Sequence, residues 1–510
     1  MRNGWIALMG LPLMACATVA PPSAAPAAIS QVAGQFYPAE APRLRAAIEA
    51  YLRDAIIPSQ DLMPVALVVP HAGYVYSGQI AADGYRQLVG RAVDTVVILG
   101  ANHTGRLDRR MAVFDGQRFA TPLGSIEVDQ ELAAAIVNDA AGAAFDSTAY
   151  EGEHSIAVQI PFVQSVLPRA KIVPIVVGSS DPGLCARLGQ VLANLLKGRR
   201  AVVVASSDLS HYPSQKDGLQ VDTRTLGAIA TLDPDAFGMT LARTDQDRPA
   251  NLVTSACGEG AIRVVMEAAR ALGATRGVVV SYANSADTVT GEPGRVVGYG
   301  AVVFDRGVGG ADIKALVRAQ PDTRSLLDAD DKRVLLRLAR ETVARYLASG
   351  TVPLPRGGST RVLREAGVFV TLKKDGSLRG CIGRLQARGS LVRLVSEMAF
   401  ASAFSDGRFS PVRADELEHI DIEISVLTPP RQVATPADVI LGRDGVVLRV
   451  GDRTAIFLPQ VATEQRWTRE QMLDNLAQKA GLATSAWRDR STVLLTFQAD
   501  VFSETTAATR

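Results

Sequence analysis

The stretch AVVVASSDLSHY, residues 201–212, joins the pattern of a buried strand to a polar turn. Its first seven residues are β-branched or small and uncharged, which is typical of a strand buried on both faces. Similar β-branched runs occur at 65–70, 95–100, 172–178, 277–283 and 296–304. Helix-like segments lie between them, for example at 129–140 and 157–167. Strands that alternate with helical crossovers predict an α/β fold with a largely parallel, doubly wound sheet.

Polar residues that follow these strands predict a shared site. His71 directly follows the first strand, and His103 lies just beyond the second. Asp208 and His211 follow the strand that begins at 201. In an open α/β sheet the ligand crevice lies at the carboxyl ends of the strands, so these side chains are expected to meet at one rim. Imidazole is a common metal ligand, and a carboxylate or a thiolate can complete a three-ligand set with open positions.

Cys257 is the candidate thiolate for such a set. It occupies a small-residue turn that leads into a helix, and a helix N-terminus favours thiolate over thiol. A buried structural cysteine is the alternative interpretation. The chain has five histidines, and four of them fall in the first half. The fifth, His419, lies in the charged stretch DELEHID and is expected at the surface.

The first half contains six motifs in a fixed order: HAGYVYSG (71–78), LGANHTG (99–105), EHSIAVQIPF (153–162), SSDLSHY (206–212), SACGEGAI (255–262) and YANSADTVTG (282–291). In these motifs the chain resembles Memo-like proteins, also called AmmeMemoRadiSam system protein B. The resemblance covers about 31–306 and implies a fold similar to that of class III extradiol dioxygenases. It also implies a metal held by His71, His103 and Cys257. Three further residues are implied to act in catalysis or to line the same pocket: His211, Asp208 and His154, the last preceded by Glu153.

The second half contains the motifs GVFVTLKKDGSLRGCIGRL (367–385), ASAFSDGRFSPVRADEL (401–417) and DIEISVLTPP (421–430). In these motifs it resembles the AMMECR domain, AmmeMemoRadiSam system protein A, over roughly 325–503. Alternation around Asp375-Gly376 predicts a hairpin, and two helix patterns complete a smaller α+β domain. Arg379 and Cys381 are a possible anion-binding or nucleophilic site. A closely packed structural strand is the alternative, because no histidine lies nearby in the sequence to activate the thiol.

The N-terminus predicts export. A short apolar run ends in LMAC, which resembles a bacterial lipobox and predicts lipidation of Cys16 at the periplasmic face of a membrane. An ordinary signal peptide with a chance cysteine, or a misassigned start codon, is the alternative. The body of the chain contains no uninterrupted apolar stretch long enough to predict a transmembrane helix. The membrane is therefore expected to be contacted through the lipid anchor alone.

Five segments are expected along the chain. They are a lipoprotein signal peptide (1–16), an Ala/Pro/Ser tether (17–30), the Memo-like metal-binding domain (31–306), a linker (307–324) and the AMMECR domain (325–503). Residues 31–306 and 325–510 are each long enough for a core of their own. We therefore expect the two ranges to fold separately.

Composition narrows the function. The 510 residues include 54 Lys and Arg against 52 Asp and Glu, and only 5% are aromatic, which argues against nucleic-acid binding. The expected function is that of a mononuclear non-haem oxygenase-like enzyme that uses Fe(II), with Zn or Cu as alternative metals, on a small organic substrate. His211 would transfer a proton to or from the substrate. Asp208 would orient the His211 ring or accept a hydrogen bond from the substrate.

Two other functions remain open on sequence grounds. One is Zn-dependent hydrolysis at the same ligands. The other is a non-catalytic metal-binding or phosphopeptide-binding protein. The system name implies a functional link to a radical SAM enzyme. This chain lacks a CxxxCxxC cluster motif, so that enzyme would be a separate protein.

Overall fold

The computed structural model describes residues 28–29, 32–59, 61–108, 110–316, 327–356, 359–386, 389–433, 435–489 and 491–507. The predicted lipidation site Cys16, the signal peptide and most of the tether lie outside the described residues. Within those ranges, no helix combines the length and the apolar character needed to cross a bilayer.

The first region alternates strands and helices along its length. Its strands are β1 (Ala28–Ile29), β2 (Pro64–Val69), β3 (Thr95–Ala101), β4 (Met111–Val113), β5 (Arg118–Thr121), β6 (Gly124–Glu127), β7 (Ala143–Phe145), β8 (Lys171–Val177), β9 (Ala201–Ser206), β10 (Arg276–Asn284) and β11 (Gly298–Asp305). Its helices are α1 (Ala41–Arg53), α2 (Tyr74–Arg86), α3 (Gln130–Asp139), α4 (Ile160–Val166), α5 (Pro182–Leu196), α6 (Gln215–Ala230), α7 (Pro234–Gln246) and α8 (Glu259–Ala271).

Eight of these strands form one sheet in the order β10-β11-β2-β9-β3-β8-β4-β7. The four central strands β2, β9, β3 and β8 are mutually parallel, which confirms the predicted α/β class. The sheet is mixed at its edges, because β10–β11, β11–β2 and β4–β8 are antiparallel. Strands β10 and β11 are joined by segment 285–297, which contains no α-helix. Parallel strands usually need a helical crossover, whereas an antiparallel pair such as this one does not.

Helices cover both faces of this sheet. Along β3, Val96 and Ile98 enter one hydrophobic core, while Val97 and Leu99 enter the other. The first core receives α1, α2 and α4, and the second receives α3 and α5 to α8. This alternation explains why the central strands are continuous apolar runs in the sequence. Their carboxyl ends, where the cores stop, are left to the polar residues of the candidate site.

The second region is a smaller α+β domain. Its strands are β12 (Gly367–Lys374), β13 (Ser377–Arg384), β14 (Ile420–Leu427), β15 (Arg431–Gln432), β16 (Gly445–Val450), β17 (Arg453–Phe457), β18 (Val493–Phe497) and β19 (Ala499–Ser503). Its helices are α9 (Ala329–Ser349), α10 (Leu391–Phe404), α11 (Pro459–Glu464), α12 (Arg469–Lys479) and α13 (Glu504–Ala507). The strands form two antiparallel sheets, β13-β12-β14-β19 and β15-β18-β16-β17.

Two segments predicted from the sequence, the hairpin turn and the linker, can be compared with the structure. Asp375 (φ 49°) and Gly376 (φ 80°) are both left-handed, as the tight turn of the predicted hairpin requires. In the predicted linker, the amide of Asp312 donates to the Gly277 carbonyl at 2.9 Å, and the amide of Val279 donates to the Asp312 carbonyl at 2.8 Å. The described first part of the linker therefore lies against the sheet of the first region.

Candidate metal centre

His71 and Cys257 lie in contact at the rim of the sheet. His71 follows β2 and is 1% exposed, and Cys257 lies two residues before α8 begins at Glu259. The Sγ atom of Cys257 lies 3.1 Å from Nε2 of His71. On the other side of the ring, Nδ1 lies 3.1 Å from the hydroxyl oxygen of Ser206. That hydroxyl donates its proton to the Ser155 carbonyl at 2.6 Å, so it accepts from His71, and the free lone pair of the imidazole is on Nε2.

His103 is oriented in the same way by a carboxylate. Its Nδ1 lies 2.9 Å from Oε1 of Glu153, and its backbone amide donates to Oε2 at 2.7 Å. The amide of Ser155 donates to Oε1 at 2.8 Å. Burial favours the neutral acid, but the hydrogen bonds from His103 and Ser155 outweigh it and lower the pKa of Glu153 to about 2. An ionised carboxylate at Nδ1 leaves Nε2 of His103 available to a metal.

The three predicted ligands converge. One potential ligand atom from each of His71, His103 and Cys257 lies within 4.8 Å of the others. The two imidazole rings are perpendicular, with centroids 4.9 Å apart. Burial, followed by the Asp208 carboxylate, raises the pKa of the Cys257 thiol. This direction is opposite to the one expected from the helix N-terminus, and its largest cause is the removal of the sulfur from water.

Asp208 and His211 border this cluster from the loop after β9. Oδ1 of Asp208 accepts from the amides of His71 (2.7 Å) and Ala72 (3.2 Å), and burial raises the pKa of this carboxyl to about 7. Nε2 of His211 is buried without a hydrogen-bond partner among the described residues. Burial, with the charge of His103, lowers the pKa of His211 to about 4. Asp208 therefore braces the backbone at His71 and Ala72, and its carboxylate does not hold Nε2 of the His211 ring.

A second set of three potential ligand atoms, from Asp208, His211 and Cys257, also lies within 4.8 Å. It shares its sulfur with the predicted set. His211 therefore lies close enough to Cys257 to be an alternative ligand.

His154 lines a cleft beside the three candidate ligands. Its ring is stacked between His103 and Phe36, with both pairs of ring centroids 4.4 Å apart. Burial and the charge of His103 lower its pKa to about 4. An open cleft of about 480 Å³ adjoins these residues. Its walls include Phe36, Tyr76, His154, Asp208, Arg295 and Tyr299.

The residues that orient the imidazoles have no predicted role in the sequence. Glu153 is there only the neighbour of His154, and Ser206 is only the end of a strand. Gln159, which donates to the Ser206 hydroxyl at 2.8 Å, is equally inconspicuous. All three lie inside the quoted motifs, and for Gln159 and Ser206 a polar side chain within or at the end of an apolar run was the available signal. The residues to which they form hydrogen bonds lie 47 to 135 positions away in the sequence. Helix and strand periodicity does not predict contacts over such separations.

The predicted site in the second region is different in character. Arg379 forms a two-pronged ion pair with Glu416, at 3.0 and 2.9 Å, which already neutralises its charge. Cys381 is partly buried, and its Sγ accepts a hydrogen bond from the Thr371 hydroxyl at 3.3 Å. His419 is exposed, as expected, and lies 3.7 Å from Asp375. Among the described residues, no group of potential metal ligands includes Cys381.

Known proteins resemble both halves of the chain. A family profile described as Memo-like protein matches residues 29–303, and one described as AMMECR1 matches 336–502. A MEMO1 family protein of Methanosarcina mazei is 38% identical over 277 residues, which are 54% of this chain and 97% of that protein. A MEMO1 family protein of Methanopyrus kandleri is 37% identical over 287 residues, with 54% and 98% covered.

A solved structure of an uncharacterized protein from Pyrococcus horikoshii is 33% identical and covers 36% of this chain and 95% of its own, with a TM-score of 0.35. The Memo-like match spans more than half of the chain, and the curated relatives are covered almost completely. The chain therefore belongs to the Memo-like protein family, and an AMMECR1 domain follows its Memo-like domain.

Proposed function

We propose that His71, His103 and Cys257 bind one divalent metal, Fe(II), and that the chain is an oxygenase-like enzyme for a small organic substrate. The observation that carries the proposal is the fixed orientation of the donors. Both imidazoles have Nδ1 occupied by a partner, and the Nε2 atom of His71 points to the sulfur. Such a set suits Fe, Zn or Cu. When bound, Fe(II) would supply a centre at which a substrate and O2 exchange electron density.

The residues around the ligands support a reaction beyond metal storage. His211 keeps a buried ring nitrogen without a partner among the described residues, so its Nε2 is available to give or take a proton. A buried polar atom of this kind is rare unless something else satisfies it, such as a substrate. The stacked rings of Phe36 and His154 form an aromatic wall of the adjoining cleft, against which a small organic substrate could pack.

The metal, its chemistry and the substrate are tested together by anaerobic purification, metal analysis and O2-consumption measurements against phenolic and heterocyclic compounds. We expect His71→Ala and Cys257→Ala to lose most bound metal. His419→Ala and Cys381→Ala are the matched controls and should retain it. Metal retained by Cys257→Ala would remove the thiol from the ligand set.

His211→Ala separates proton transfer from metal binding. We expect it to retain metal and to lose turnover by roughly 10²–10⁴-fold, the usual contribution of a general acid or base. Loss of metal as complete as in His71→Ala would make His211 a ligand. Ester or amide hydrolysis by the Zn-loaded protein, without O2 consumption by the Fe-loaded protein, would establish the hydrolase alternative. Metal binding without turnover of any compound would favour the non-catalytic alternative.

The proposal extends to the cellular setting. A lipid on Cys16 would hold the protein at the periplasmic face of a membrane, with the cleft open to small molecules. A separate radical SAM enzyme would be its functional partner.

A further inference from the structure

A carboxylate buried in the first domain is neutralised by an arginine of the second domain. Asp83 lies in α2 and is 0% exposed. Its Oδ1 accepts from Nη1 of Arg356 at 2.9 Å and from the amide of Ile56 at 3.0 Å, and its Oδ2 accepts from Nη2 of the same arginine. Arg356 lies 273 residues further along the chain, inside the AMMECR1 match. A charge removed from water is tolerated only when it is paired, so α2 depends on this arginine.

Arg356 ends a short segment, residues 350–356, that we call the strap. The strap follows α9 and lies against the first domain. Leu354 packs on the hydrophobic core beneath α1 and α2. Val352 and Pro353 border a small cavity together with Tyr51 of the first domain. The strap thus adds apolar cover as well as a charge partner.

Two more contacts lie on either side of the strap. Arg345 of α9, whose side chain is 10% exposed, forms an ion pair with Asp54 at the end of α1. Arg393 of α10, whose side chain is 8% exposed, donates to the Gly291 carbonyl at 3.1 Å. Gly291 lines the 480 Å³ cleft of the candidate metal centre. The second domain therefore contacts the loop that forms one wall of the cleft.

The contacts reach the candidate site from two directions. Helix α2, which carries Asp83, begins three residues after His71, and its Tyr76 lines the cleft. Gly291 belongs to a separate stretch of the lining. Motion of either element would change the shape of the cleft beside the ligands.

We infer that the AMMECR1 domain is a fixed part of the candidate site, in which the strap and Arg393 hold α2 and the cleft loop 288–297 in place. The partner of this surface of the first domain is therefore the second half of the same chain. This inference rests on the contacts and holds whichever reaction the metal centre performs. It departs from the expectation of separate folding, which considered only whether each range was long enough for a core.

The test uses the full chain and needs no substrate. Arg356→Met leaves Asp83 buried without its partner, and Arg413→Met, at a 76% exposed side chain, is the matched control. By hydrogen exchange we expect Arg356→Met to increase exchange in 74–86 by about tenfold or more. Arg393→Met should do the same in 288–297. The control should change neither segment.

A double variant identifies the buried charge as the cause. Arg356→Met should lower the Tm by roughly 5 °C or more, whereas Asp83→Asn with Arg356→Met should recover much of that loss, because no unpaired charge remains. If Arg356→Met does not fold, the double variant and Arg393→Met still carry the test. The inference is overturned if the exchange and Tm of the Arg356 and Arg393 variants match the control, or if the two domains of the wild type melt in separate, independent transitions.

Discussion

Replacing Glu153 with Gln should weaken metal binding by about 10–100-fold and leave the fold intact. Three N–H groups point at the two carboxylate oxygens: the amide and Nδ1 of His103 and the amide of Ser155. A carboxamide offers only one oxygen. In its better orientation it keeps the contacts at Oε1 and turns its NH2 group against the amide of His103. The substitution therefore removes one hydrogen bond and the negative charge behind the imidazole.

The expected size follows from the role of such partners. Loss of a group that orients a ligating imidazole costs about 10–100-fold in metal affinity, which corresponds to about 1.4–2.7 kcal/mol. The assay is chelator competition with Zn²⁺, together with a Co²⁺ titration in which the sulfur-to-metal absorption reports whether Cys257 is bound. A Tm measurement verifies that the variant is folded.

Glu151→Gln is the matched control. Its carboxylate is two residues away, 61% exposed and paired with Arg106 at the surface, so its substitution should leave the affinity unchanged. The reasoning is refuted if Glu153→Gln binds Zn²⁺ and Co²⁺ with the same affinity as the wild type. Equal weakening in both variants would show that the general negative charge of this loop, and not the orientation of His103, governs binding.

Three further outcomes are expected. Ser206→Ala should weaken Zn²⁺ binding in the same titration, but less than Glu153→Gln, because a neutral hydroxyl polarises an imidazole less than a carboxylate does. Gly380→Ala should destabilise the second domain by about 1–3 kcal/mol in denaturant unfolding, because the added Cβ would lie 2.2 Å from the Ser402 carbonyl oxygen. Gly407 has open space around it, so Gly407→Ala should change the free energy of unfolding by no more than about 0.5 kcal/mol. Cys16→Ala should move the protein from the membrane fraction to the soluble fraction, and membrane retention would contradict lipidation.

Local sequence pattern predicted the central strands of the first domain and the rim position of two candidate ligands. The apolar runs at 65–70, 95–100 and 201–207 correspond to three adjacent parallel strands. A side chain just beyond such a strand must lie at the rim of the sheet, so strand pattern alone assigns His71 and His103 to that rim. The hairpin at Asp375-Gly376 was equally local, since its turn depends on two left-handed residues.

Partners across the fold were decided only by tertiary structure. The antiparallel edge of the sheet, the Glu153 carboxylate behind His103 and the pairing of Asp83 with Arg356 each join segments that are not neighbours in sequence. Periodicity reports which residues are buried and which backbone conformation they prefer. It does not report which distant segment meets them, because that depends on how whole layers pack and on which buried charges and donors must be satisfied together.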